Sequence, residues 1–228
     1  MKSKDLEALY DAKILVVGED SNLFWSDNVS EYAMFADYYF KKMPEDHGER
    51  SRNVESRNLF EHINYLTNNK LRSKEIYITN LCNEYVTPPP RGKRVLIPEE
   101  NAKDGLKRIE KILKDNPTIQ YVFVMSLQSN YWLQKLGFYT TDEEFLHNAQ
   151  PKRVGLVEFE CYYQPVNAKA FSSIVGNIYQ ANKFDVKVVP ILPAKDFPLK
   201  EQNIERFTNP YIKIKESIKF NALEKDNK

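Results

Sequence analysis

Lys74-Glu75-Ile76-Tyr77-Ile78-Thr79-Asn80-Leu81-Cys82-Asn83 leads through Pro88-Pro89-Pro90-Arg91-Gly92-Lys93-Arg94 to Pro98-Glu99-Glu100. The first half is β-branched and aromatic, free of Gly and Pro, and predicts a short buried strand. The Pro and Gly run forces an irregular basic loop. Pro98 then suits a first helical turn, and the two acids after it suit the helix dipole. The order is strand, polar tip, basic loop, helix. In parallel α/β sheets ligands bind beyond the carboxyl ends of the strands, where Thr79, Asn80, Arg91, Lys93 and Arg94 are expected to fall. The bland alternative is equally open here: Asn80 caps a turn and the arginines are solvated.

Working outward from that stretch, Lys13-Ile14-Leu15-Val16-Val17 is apolar on both faces and predicts a parallel strand covered by helices. It is expected to end at Gly18 in a sharp turn carrying Glu19 and Asp20. Two carboxylates at a strand end suit catalysis or a metal, and they suit equally an N-cap through Asp20 or Ser21. Residues 120–126 and 186–193 supply two further strands. The third stops at Ser126-Leu127-Gln128-Ser129, and Pro190 and Pro193 make the end of the fourth a rigid loop. Helices are expected over residues 3–11, 29–43, 52–68, 99–114, 168–183 and 203–220, with a short one opened by Asp142-Glu143-Glu144. Residues 44–52 read as a polar loop containing an exposed His47, residues 154–163 as an edge strand, and His62 as a solvent-facing helical residue.

Strands alternating with helices predict an α/β chain, a three-layer α/β/α sandwich around a mostly parallel four-stranded sheet. The 228 residues fit a single domain over 1–228, with 221–228 a frayed tail. A 42% hydrophobic and 13% aromatic content is that of a folded globular protein. The net charge of +1 excludes a polyanion binder of uniformly basic surface, so any nucleic-acid contact needs a local patch. Two cysteines, Cys82 and Cys161, form neither a disulfide framework nor a zinc set. No apolar run approaches membrane-spanning length, and the expectation is a cytoplasmic monomer with no membrane partner. Neither a Gly-x-Ser-x-Gly elbow nor a Gly-rich phosphate loop occurs.

Gly18-Glu19-Asp20, Tyr77-Ile78-Thr79-Asn80-Leu81-Cys82, Pro89-Pro90-Arg91-Gly92-Lys93-Arg94 and Pro98-Glu99-Glu100 together resemble the uracil-DNA glycosylase superfamily, locally its iron–sulfur-bearing branch. The resemblance spans roughly residues 13–135 and is topological from there to 193. It implies a uracil-DNA glycosylase-like fold acting on DNA or another nucleobase-containing ligand. Asp20 inherits the role of the carboxylate that orients water. Gly18, Glu19, Phe24, Asn80, Ser126 and Gln128 become base-pocket residues, with Phe24 stacking on the base and Asn80 bonding its edge. Arg91, Lys93 and Arg94 become phosphate contacts. The departures are specific. Pro190-Ile191-Leu192-Pro193 stands where a His-Pro-Ser turn is expected, which removes the histidine that stabilises the departing base anion. The first motif continues with Ser21 and Asn22. With the cluster cysteines absent, no iron–sulfur cluster and no other cofactor is expected. The implied alternatives are a DNA glycosylase and a superfamily relative that binds a nucleic acid, nucleotide or protein without cleaving it.

Overall fold

The computed structural model describes residues 4–8, 11–22, 32–34, 36, 47–86, 94–152, 162–198 and 201–220. Alternation along β1 (Ile14–Asn22), β2 (Ile76–Val86), β4 (Tyr121–Met125) and β7 (Lys187–Ile191) sorts their side chains onto two faces. Leu15, Val17, Tyr77, Leu81, Val122, Val124 and Val188 face one core, closed by α2 (Glu99–Asp115) and α3 (Leu127–Lys135). Ile14, Val16, Ile78, Phe123, Met125, Val189 and Ile191 face the other, closed by α1 (His47–Leu66) and α6 (Glu201–Ser217). The expected α/β class and the helices on both faces follow from these two cores.

Among the described residues the sheet has five strands, one more than expected, in the order β2-β1-β4-β7-β6, where β6 is Tyr179–Gln180. Its first four are mutually parallel, and β6 pairs antiparallel to β7. The extra strand comes from residues 168–183, where the apolar spacing had predicted one helix. Instead α5 covers Phe171–Ile174 alone, because Val175 is extended and Gly176 takes φ +93°. That left-handed φ suits glycine. A Cβ there would also meet Pro210 of α6, its Cα at 2.8 Å. Pro190 is tolerated inside β7 because the β6 pairing ends at Val188, so by alternation its missing N–H points where no strand remains.

Three further expectations change. Residues 3–11 are not helical where described: Leu6 and Ile78 exchange backbone bonds, each N–H···O at 2.9 Å. This strap covers the otherwise unpaired rim of edge strand β2. The expected loop at 44–52 is helical from His47 onward. The expected edge strand at 154–163 contributes Tyr162–Tyr163 (β5), which pairs with Arg94–Val95 (β3) in a separate two-stranded ribbon. Most of the helix expected over 29–43 lies outside the described residues, as does the tail. Asp142 caps α4 (Glu143–Ala149) through Phe145 N at 2.7 Å, as its sequence predicts. Among the described residues no helix is long and apolar enough to cross a membrane.

Candidate functional site

The parallel register sets Gly18 beside Asn80 and Asp20 beside Cys82, while β4 ends at Met125 in the neighbouring position. The polar residues of three strands thus gather at one edge of the sheet. The expected turn at Gly18 is absent, since β1 runs straight through Gly18-Glu19-Asp20 to Asn22. Asp20 is therefore a strand residue, and neither it nor Ser21 is a helix cap. Continued pairing with an elongated β2 keeps the chain extended, with a register shift between Asp20 and Ser21.

Gly18 is glycine for a reason of space. A Cβ at that position would collide with Asn80 Oδ1 and lie 2.8 Å from both Cγ and Sδ of Met34. Asn80, 1% exposed, thus lies over the Gly18 backbone on the α1 side of the sheet. Since both obstacles are ends of side chains, Gly18→Ala is expected to cost about 1–2 kcal/mol by overpacking. Urea melts would measure it, and an Asn80→Ala background would relieve a good part of the cost. A full, unrelieved cost in that double variant would refute this account.

Glu19 sits on the opposite face, where Gln128 meets it. Gln128, fully buried, donates Nε2 to Glu19 Oε1 at 2.7 Å and to Val95 O at 3.0 Å, while its Oε1 accepts Ile97 N–H at 2.6 Å. Its amide is fully engaged. It ties the segment leaving the basic loop to the end of β1.

Ser126 joins β4 to α3 with no loop between them. Its φ of +79° with ψ 151° is a region that non-glycine residues rarely enter. Surrounding bonds hold it there: Ser129 N donates to Ser126 Oγ at 3.2 Å, and Asn130 Nδ2 donates to Ser126 O at 2.6 Å and Val124 O at 3.2 Å. Ser129 Oγ donates to Gly18 O at 3.0 Å, so the turn is stitched to β1. Asn130 Oδ1 in turn accepts the Tyr139 hydroxyl, whose pKa is driven well above its ordinary value by burial. Asn130 escaped the sequence reading, and Ser129 enters it only as part of the strand's end. Their signal was a polar run, Gln128-Ser129-Asn130, directly after an apolar strand.

A second network braces Asn80 from the other side. Arg108 of α2 donates Nη2 to Asn80 O, and Asp5 Oδ1 accepts from Thr79 Oγ1 at 2.7 Å and Asn83 Nδ2 at 2.8 Å. Arg108 Nε lies 3.7 Å from Asp5 Oδ2. Past Ile78, where the strap's backbone bonds stop, side chains thus serve as the partner of the edge strand. Phe24, Arg91 and Lys93 lie outside the described residues, as do the side chains of Asp20 and Arg94. Among the described residues no group of His, Cys, Asp and Glu could hold a metal ion. In comparisons with known proteins, no family model matches this chain, and no curated protein matches it.

Proposed function

We propose that the carboxyl edge of the four parallel strands receives a nucleobase, and that the chain is a uracil-DNA glycosylase-like N-glycosyl hydrolase. The observation that carries this reading is the register that sets Gly18-Glu19-Asp20 beside Asn80 and next to the strained Ser126 turn. Sparsely populated backbone held in place by surrounding bonds concentrates at functional sites. A flipped base costs roughly a few kcal/mol to unstack. It reaches the Asn80 amide by displacing the Met34 side chain, which packs at the same spot over Gly18 and is flexible enough to move. Asp20 takes a proton from water as the water oxygen bonds to the sugar carbon, and the glycosidic electron pair leaves with the base. Arg91, Lys93 and Arg94 hold backbone phosphates, a contact that weakens with salt.

A second reading, binding without cleavage, is favoured by the end of β7. No histidine follows Pro190-Ile191-Leu192-Pro193, and the Leu192 N–H is taken by the Tyr211 hydroxyl at 2.9 Å. That turn therefore brings no histidine to a departing base.

The test is abasic-site formation on single- and double-stranded oligonucleotides carrying uracil, hypoxanthine or a thymine mismatch. Product is expected, reduced by about 10²–10⁴-fold in Asp20→Asn, the range of a positioned acid or base. No product but salt-sensitive binding that weakens in Arg91→Ala would establish the second reading. Neither product nor binding would sink both.

A further inference from the structure

Behind the sheet, three residues back along β2 from Asn80, a cleft of about 390 Å³ opens between the N-terminal strap and α2. It is lined by Asp5, Glu7, Tyr77, Arg108, Lys111 and Asp115. Tyr77 points to the α2 core and Asn80 to the α1 side, so the sheet separates this cleft from the site above. Both of its cations are engaged: Arg108 with the Asn80 carbonyl and Asp5, Lys111 with Asp115. Glu7 is exposed and makes no ion pair among the described residues. Tyr77 is 8% exposed, and its hydroxyl, open to the cleft, makes no hydrogen bond among the described residues. Three carboxylates against two spent cations leave the walls with a net charge of −1.

We propose that this cleft binds a small organic cation with a primary ammonium group, such as an aliphatic diamine. The ammonium donates to the Tyr77 hydroxyl oxygen and the Glu7 carboxylate, and the alkyl chain lies against Ala8 and Ile112 of the same wall. The local field agrees in sign. Burial raises the Tyr77 phenol above its ordinary value, and Asp5 and Glu7 raise it too, against an opposing Arg108.

Calorimetric titration of the full chain with 1,4-diaminobutane, against sodium chloride of equal ionic strength, tests this. Saturable binding is expected in the diamine alone. Tyr77→Phe and Glu7→Gln should each weaken it about tenfold, the scale of one charge-assisted hydrogen bond. Glu7 is exposed and Tyr77→Phe removes one unbonded oxygen, so both variants keep the fold, which circular dichroism would verify. No saturable heat, or heat that both variants leave unchanged, would overturn the proposal. So would saturable binding of inorganic phosphate that is lost in Lys111→Ala.

Discussion

Replacing His62 with Phe is expected to make the fold far less sensitive to acid. His62 is fully buried on α1, stacked on Phe197 at 4.6 Å and 3° and against Tyr211 at 5.2 Å. Among the described residues neither ring nitrogen has a hydrogen-bond partner. Burial lowers its pKa from 6.5 to about 3. Between those values the unfolded chain binds a proton that the folded chain refuses, so stability is full above pH 6.5 and falls as pH drops toward 3. At 1.36 kcal/mol per unit the gap is worth on the order of 5 kcal/mol. In His62→Phe that component disappears. Two unpaired buried nitrogens go with it, each costing about 1–3 kcal/mol, offset in part by the larger ring. Urea melts of both proteins at pH 7.5 and pH 4.5 would check this. Parallel losses of stability in the two would refute it.

That histidine also shows where the sequence was legible and where residue type misled. Leu59, His62, Ile63 and Leu66 fall at i, i+3, i+4 and i+7, the spacing of a single helix face. His62 shares that face, yet its polar character made it read as solvent-facing. The aromatic partners that make burial tolerable come from residues 197 and 211, which no local window contains. Strap residues 4–8 were missed for a related reason. Leu6 reads equally well as a helical or an extended residue, and the unpaired rim of β2 decided between them.

The four parallel strands were legible because they are buried on both faces and so read as continuous apolar runs, as in Ile14–Val17 and Tyr121–Met125. Which polar residues meet at their ends was less legible. Counting residues brings Gly18, Glu19, Asn80, Ser126 and Gln128 to one edge. Strand alternation then divides them, with Asn80 over Gly18 on the α1 side and Glu19 with Gln128 on the other. Alternation depends on how far each strand runs. Both β1 and β2 run past their expected ends because each satisfies the other's backbone.

The same backbone pairing decides the second large effect, Gly105→Ala. Intrinsic helix propensity favours alanine inside α2 by about 1 kcal/mol, so a sequence-level argument predicts a stabilised protein. The opposite is expected. A Cβ on Gly105 would overlap the Leu81 carbonyl oxygen and lie 3.0 Å from its carbon. At Gly18 the obstacles are side-chain ends that can turn aside; here the obstacle is main chain. β2 cannot retreat, because its opposite face is packed against α1 and one edge is bonded along β1, and α2 must lift instead. Overpacking of this kind costs about 1–3 kcal/mol and occasionally more. With backbone as the unyielding partner, a net loss of about 2 kcal/mol or more is expected after the propensity gain. Lys107→Ala, exposed on the same helix, should stay within about 0.5 kcal/mol of the parent. Urea melts of the three proteins would measure both effects, and a Gly105→Ala protein as stable as the parent would refute this account. Lifting α2 also draws Arg108 away from the Asn80 carbonyl. Amide hydrogen exchange should therefore rise in the outer half of β2 before the rest of the sheet opens, and any ligand held by Asn80 should bind more weakly in the same variant.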